Sequence, residues 1–347
     1  MIETPKRHKR PTLATVASAA GVSMPTVSKV LNGRSDVSPD TRARVERVLR
    51  EHQYVPPRRS PRIPATARVV DLVFNDLLNP YSTELMHGVI EAGDEAGVDV
   101  AVGRFPHRTD RGSREGAREW ARRLVAADRA GIIVVTSELT IEQIAAFDEA
   151  RLPLVVIDPM NLPRVDVVSV GATNWSGGFT ATEHLVQLGH ERIAFVGGSV
   201  RASCGQARLH GYLAALSTAT IPVDPDLVCH GRFTYDTGYE QGLRLLRRAQ
   251  PPTAIFAGCD PIAFGVIEAA RERGLSVPTD LSVVGFDDTY TAAWSAPPLT
   301  TIRQPLQEMG RVALRTLVRL GAGQSLDSHH VELATRLIVR NSTAPPA

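Results

Sequence analysis

Met24, Pro25, Thr26, Ser28 and Lys29 share one side of a predicted helix and form a short, largely polar face with a single ammonium group. Side chains of that size suit base-pair edges in a DNA major groove, which offers hydrogen-bonding atoms and thymine methyls. The other side of the helix carries Val27, Val30 and Leu31, an apolar stripe that needs a partner. That partner lies just upstream, where Leu13, Val16, Ala17 and Ala20 recur at helical spacing. Thr12 stands at the N-cap of this first helix, and Gly21 ends it where φ > 0 is cheap. Ser23 then caps the second helix, with Pro25 in its first turn, where a missing N–H does no harm. The pattern predicts a helix-turn-helix. A third helix is expected from Ser38 to about His52, with Pro39 at its start, Asp40 near its positive end, and Val45, Val48 and Leu49 facing inward. Tyr54 and Val55 can close a three-helix headpiece.

The charge distribution supports a polyanion partner for that headpiece. The formal net charge is only +2, yet residues 1–68 hold 14 Lys+Arg against 5 Asp+Glu, a surplus of +9. The rest of the chain carries −7. A small basic module on a mildly acidic body is the expected layout for a nucleic-acid binder. Residues 1–11 read as a disordered basic arm that adds sequence-independent phosphate attraction. KRHKR followed by TLATVASAA has the outline of a signal peptide, but Thr, Ser and Ala make it too polar for the hydrophobic segment. No apolar run reaches membrane-spanning length, and Cys204, Cys229 and Cys259 fit reduced, buried thiols. A cytoplasmic protein that does not engage membranes is expected.

PPRRSPRIP at 56–64 marks a domain boundary. Beyond it the pattern becomes short apolar strands alternating with amphipathic helices. Strands are expected at 68–74, 98–102, 131–135 and 154–158, then at 192–197, 227–231, 254–258 and 282–286. Two groups of four such strands predict two parallel sheets covered by helices, hence two similar subdomains. Ligands of open α/β sheets sit at the carboxyl ends of the strands. The candidates there are Asn75, Asp76, Asn79 and Tyr81 after the first strand, Thr136 and Ser137 after the third, and Asp158 after the fourth. Asp260 and Asp287 end two strands of the second group, although either could simply cap the helix that follows.

Enzyme chemistry finds no support. G-x-S-x-G, H-E-x-x-H and G-K-[ST] are all absent, and no set of metal ligands is complete. His184 and His190 flank a helix end without companion ligands, and His329 and His330 fall in a predicted turn. Neither a metal nor an organic cofactor is expected.

The runs AxxAGVSxxTVSxVLN and VSxxTRxRVxxVxxxxxYVP resemble the DNA-binding headpiece of the LacI/GalR family of bacterial repressors. FNDLLNPY, EHLVQLGHERIAFVGG, LSVVGFDD and PPLTTIRQP extend the resemblance over nearly the whole chain. It implies an all-α helix-turn-helix headpiece (12–55), a hinge linker (56–67) and a periplasmic-binding-protein-like α/β core of two subdomains (68–341), with a tail at 342–347. The N-subdomain would comprise about 68–170 and 302–328, the C-subdomain about 171–300 and 331–341. Crossings between them are placed near 170–174, 299–303 and 328–332. By the same resemblance Met24, Pro25 and Lys29 read bases, with Lys29 the expected guanine contact. Thr12, Ser23, Thr26, Asn32, Ser38 and Thr41 contact phosphates. In the hinge, Ile63 holds the position of a minor-groove wedge. Pro61 and Pro64 depart from the family, since interior proline costs a helix roughly 3 kcal/mol. An extended hinge is therefore expected, with Arg58, Arg59 and Arg62 on phosphates or a narrow minor groove.

The resemblance also places a ligand in the cleft between subdomains. It adds Asn174 and Trp175 at the first crossing, Arg208 as the cleft arginine, and Phe233 at a position often aromatic. Arg and Asp can together grip vicinal hydroxyls while aromatic rings offer apolar faces, a pairing that favours a neutral sugar or short oligosaccharide. The implied function is a homodimeric repressor on a palindromic operator, controlled by that effector. A non-sugar metabolite, a corepressor and an exported solute-binding protein remain as alternatives. No terminal heptad follows Asn341, so tetramerisation through a coiled coil is not expected.

Overall fold

The computed structural model describes residues 13–31, 37–51, 69–77, 79–105, 114–161 and 164–347. Thr12, Asn32, Arg58, Arg59, Arg62 and Ile63 lie outside the described residues. The chain divides into two compact units, Met1–Arg59 and Ser60–Ala347.

The first unit contains α1 (Leu13–Ala20), α2 (Met24–Leu31) and α3 (Pro39–Glu51). Val16, Ala17, Ala20, Val27, Val30, Val45 and Val48 are buried together, which is the stripe-to-stripe packing that the helical spacing requires. Gly21 takes φ +64°, which lets the chain reverse out of α1. The amides of Gly21 and Val22 then close back on the carbonyls of Ser18 and Ala17, at 3.2 and 3.1 Å. Ser23 and Ser38 each accept the amide of the residue three positions on, Thr26 at 3.3 Å and Thr41 at 3.4 Å, and so cap α2 and α3.

The second unit holds two six-stranded sheets. The first comprises β1 (Val69–Phe74), β2 (Asp99–Arg104), β3 (Arg129–Val135), β4 (Leu154–Ile157) and β5 (Ser169–Ala172), with one further edge strand from near the C-terminus. Helices α4 (Pro80–Ala96), α5 (Arg114–Ala126) and α6 (Ile141–Ala150) cover it. The chain then passes through α7 (Asn174–Gln187) into the second half. There β6 (Ile193–Gly197), β7 (Val228–His230), β8 (Ala254–Ala257), β9 (Ser282–Asp287) and β10 (Thr300–Arg303) are covered by α7, α8 (Ser203–Thr218), α9 (Tyr235–Leu246) and α10 (Asp260–Glu272). A short α11 (Tyr290–Trp294) precedes β10. Helix α12 (Leu306–Gly321) returns to the first half, where Met309, Leu314 and Leu317 pack with Leu85 and Val89 of α4. Last come β11 (His330–Leu333), the outer strand of the first sheet, and β12 (Arg336–Ile338), antiparallel to β10 in the second.

Both sheets are buried on two faces, so their central strands read as unbroken apolar runs, as IIVV of β3 and IFA of β8 do. Two of the crossings between halves fall later than the sequence suggested. Residues 300–303 form β10 inside the second sheet, so the second crossing follows Arg303. Residues 330–333 pair with β5 in the first sheet, so the third lies between β11 and β12. Thr335 joins the third crossing to the first, its amide donating to Thr173 Oγ1 at 3.0 Å. His330 sits in a strand, not a turn, with Nε2 donating to the Val165 carbonyl at 3.0 Å and Nδ1 against Ser169 Oγ at 2.9 Å.

Candidate functional site

A cavity of about 270 Å³ opens between the two halves of the body, at the carboxyl ends of both sheets. From the first half, Asn75 and Asp76 follow β1, Tyr81 stands in the first turn of α4, Thr136 follows β3 and Asp158 follows β4. From the second half come Arg208 on α8, Phe233 after β7 and Asp287 at the end of β9. Asn79 holds the start of α4, its side chain accepting the amide of Ser82 at 2.8 Å, and it also lines the cavity. Thr136, Asp158 and Asp287 have φ of 43°, 43° and 112°. Left-handed backbone at non-glycine residues costs about 1–3 kcal/mol each and persists where surrounding structure imposes it. Here it turns three polar side chains into one space.

Arg208 organises the site. It is only 3% exposed. Its Nε donates to Asn174 Oδ1 at 2.8 Å, and its NH1 donates to the Gly258 carbonyl at 2.6 Å. The guanidinium lies 3.8 Å over the Phe286 ring and 3.7 Å from Asp287 Oδ1. Asp287 in turn accepts from Gln304 Nε2 at 2.7 Å. On the opposite wall the Tyr81 hydroxyl donates to Asp158 Oδ2 at 2.6 Å. Burial raises the pKa of Asp158, with Arg208 and Tyr81 pulling it back. Burial pushes Asp287 up to about 7, again opposed by Arg208 and raised further by Asp158. Two buried carboxyls therefore share one buried guanidinium.

This arrangement sets a pH dependence. Asp287 binds its proton more tightly when folded than its ordinary value near 4 allows. Its contribution to stability is therefore complete below about pH 4 and is lost as pH rises through about 7. Urea unfolding at pH 5 and pH 8 is expected to show a smaller loss of stability with pH for Asp287→Asn than for the parent. Equal losses in the two proteins would refute the elevated pKa.

Four residues expected in the cleft do not line it. Ser137 is fully buried, its hydroxyl donating to the Val135 carbonyl at 2.9 Å. Asp260 is fully buried behind the wall, with Oδ2 accepting the amide of Thr289 at 2.9 Å and Oδ1 accepting the Thr301 hydroxyl at 2.7 Å. It tightens the β9–β10 region instead. Asn174 spends its amide on the Ala172 carbonyl and its oxygen on Arg208, so it positions the guanidinium. Trp175 is 47% exposed and stacks on Phe179 at 5.5 Å. One residue into α7, the roughly 100° step per residue turns its side chain to another face.

On the headpiece, Met24 is 51% exposed, and Pro25 and Lys29 are exposed beside it. Ser23 and Thr26 share a hydroxyl contact of 2.9 Å, as do Ser38 and Thr41. The base-reading candidates thus project from α2, while four phosphate candidates sit at the starts of α2 and α3, where free amides and helix dipoles favour an anion.

Comparison with known proteins places these features together. Residues 12–57 match the family described as bacterial regulatory proteins, lacI family, and residues 182–343 match a periplasmic binding protein-like domain. The HTH-type transcriptional regulator DegA of Bacillus subtilis is 35% identical over 96% of this chain and 98% of its own length. The chain belongs to the LacI family. Among solved structures, a transcriptional regulator CelR–cellobiose complex is 34% identical with a TM-score of 0.72, covering 96% of this chain and all of that one. A lac repressor dimer bound to operator and the anti-inducer ONPF is 28% identical with a TM-score of 0.70, covering 97% of this chain and all of that one. As a LacI-family member the chain is a DNA-binding transcriptional regulator and not an enzyme. Its body is the two-lobed periplasmic-binding-protein-like fold, and no helix among the described residues is long and apolar enough to cross a membrane.

The cleft of this LacI-family chain also has walls that sequence reasoning did not name. Cys204 lies one helical turn before Arg208, so i,i+4 spacing on α8 was a usable signal for it. Burial pushes its thiol up to about 11, which keeps it protonated. Met160, Ser199, Arg232 and Thr234 come from loops, where no periodicity marks the inward side.

Proposed function

We propose that this LacI-family regulator is a cytoplasmic repressor whose grip on a palindromic operator is loosened when an uncharged sugar occupies the cavity. The supporting observation is the charge of the cavity's buried groups. Asp158 and Asp287 offset Arg208, so a phosphate or carboxylate on the ligand would find no surplus of buried positive charge to hold it. Hydroxyl groups suit that set, because each can donate to a carboxylate and accept from the guanidinium. Phe233 adds an aromatic ring at the cavity wall. Asn75, Asp76, Tyr81 and Thr136 would complete the polar contacts. The cellobiose named for the CelR structure makes that disaccharide the first probe. In a homodimer, Met24, Pro25 and Lys29 of each protomer would read one half-site, with Ser23, Thr26, Ser38 and Thr41 on flanking phosphates.

The test has two arms. Genomic fragments selected by the purified protein at moderate ionic strength should share a palindrome, and an uncharged sugar in a panel headed by cellobiose should raise the melting temperature and weaken binding to that palindrome. Retention by no particular sequence would sink the repressor reading. Stabilisation by sugar phosphates alone would sink the charge argument. Lys29→Ala is expected to lose about 1–3 kcal/mol of discrimination at one base pair per half-site. Uniform weakening on every sequence would instead make Lys29 a phosphate contact.

A further inference from the structure

Helix α8, which carries Arg208 and Cys204 into the cavity, begins without a cap of its own. Its N-cap residue, Ala202, has no side-chain acceptor to offer the first free amides. The missing acceptor comes from the other half of the body. The Ser203 amide donates to the Met160 carbonyl at 3.2 Å, and the Ser203 hydroxyl donates to the same oxygen at 3.1 Å. Met160 follows β4 of the first sheet, whereas Ser203 belongs to the half built on the second. Two residues before Ser203, Arg201 reaches Glu138 of the first half at 2.7 Å. Arg201 and Ser203 are exposed, while Met160 and Cys204 line the cavity, so both contacts stand on its rim.

We propose that Ser203–Met160 and Arg201–Glu138 form a rim latch that sets how far the two halves of the body close over the cavity. The latch deepens the effector-cleft reading, because closure is the motion an effector would bias. Each element is weak alone: a surface ion pair contributes little, and two donors sharing one carbonyl contribute modestly. Together they bias closed over open by roughly tenfold, enough to matter and small enough to reverse. Ser203 and Arg201 are positioning residues here, acting on the placement of α8.

Ser203→Pro isolates the latch. Position 203 is the first residue of α8, where proline is accepted because that amide has no partner within the helix. Ala202, at φ −78° and ψ 117°, already has the extended conformation that a residue before proline requires. Proline removes both donors to Met160 and leaves the helix its start. The readout is the distance distribution between spin labels at Ile141→Cys and Tyr235→Cys, both exposed and one on each half. Labelled protein is diluted with unlabelled chain so that only distances within one protomer count. The three native thiols are buried. Without added sugar, Ser203→Pro is expected to keep a cooperative melting transition while its distances lengthen, the closed fraction falling about threefold to fivefold relative to open, short of the tenfold of the whole latch because Arg201–Glu138 remains. Ser203→Thr, which keeps both donors, should restore the parental distribution. A folded Ser203→Pro protein with parental distances would overturn the latch. Should that variant fail to fold, Ser203→Ala combined with Glu138→Gln removes the hydroxyl and the ion pair, two of the latch's three contacts, and parental distances there would overturn it. Measured without sugar, the latch stands or falls independently of which ligand the cleft prefers.

Discussion

Arg208→Met is expected to lose about 3–5 kcal/mol of folding stability, because it removes one partner of a buried charge cluster. Methionine replaces much of the aliphatic stem, so the loss would come from the guanidinium and not from a cavity. Without it the Gly258 carbonyl and Asn174 Oδ1 each lose a donor, and Asp287 and Asp158 lose the only buried cation that both face among the described residues. Both carboxyls should then titrate higher than in the parent. Sugar affinity is expected to fall about 100-fold or more, the usual consequence of truncating one member of a buried hydrogen-bonded charge set. The side chains proposed to read DNA belong to the separate unit Met1–Arg59, so operator binding should persist and become unresponsive to sugar. Arg208→Lys keeps the charge but not the planar fork, and it should recover part of the stability and little of the response. Urea denaturation and calorimetric titration of the sugar identified in the screen check both halves. A methionine variant with parental stability would show that Arg208 is solvated and not paired.

How much of this could be read from the residues depends on which kind of signal placed each one. Helices with a cap at one end and a stripe along one side were legible to within a few residues. The Ser38–Thr41 cap and the Val45, Val48 pair bound α3 as expected. Strands buried on both faces were equally plain, since runs such as IIVV have few other uses. The short strands on the crossing side of each sheet were not. β5, β10, β11 and β12 have three or four residues each and include Ser169, Thr300, Thr301 and Arg336, so they resemble loops until a neighbouring strand pairs with them. That omission misplaced two crossings. The same contrast governs the cleft. Residues directly after central strands, such as Asn75, Thr136 and Asp158, were found because topology alone places strand ends there. Asn174, Trp175 and Asp260 begin helices instead, and their direction depends on helical phase and on neighbours distant in sequence.

Close helix packing was the least legible layer, and it supports the second large effect. Gly178→Ala is expected to destabilise the second half of the body by about 3 kcal/mol, the upper end for overpacking, because the obstacle is main chain and not a movable side chain. A Cβ at Gly178 on α7 would lie 2.3 Å from the Arg208 carbonyl oxygen and 2.8 Å from its Cα. The contact is reciprocal, since a Cβ at Gly211 on α8 would lie 2.2 Å from the Trp175 carbonyl oxygen. Real Cβ atoms keep at least 3.0 Å, so α7 and α8 would have to part by about 0.7 Å where Arg208 is anchored. The damage should therefore extend beyond stability. A binding constellation tolerates displacement of about 0.5 Å before its geometry degrades, so the variant should lose sugar response even where it remains folded. Gly103→Ala is the matched control: its Cβ would meet only Val73 Cγ1 at 3.8 Å, an ordinary contact. Thermal melts and sugar titrations of the two variants side by side separate the cases. If Gly178→Ala melts with Gly103→Ala and the parent, α8 is not held by backbone contact with α7, and the position of Arg208 must be set by its hydrogen bonds to Asn174 and Gly258 alone.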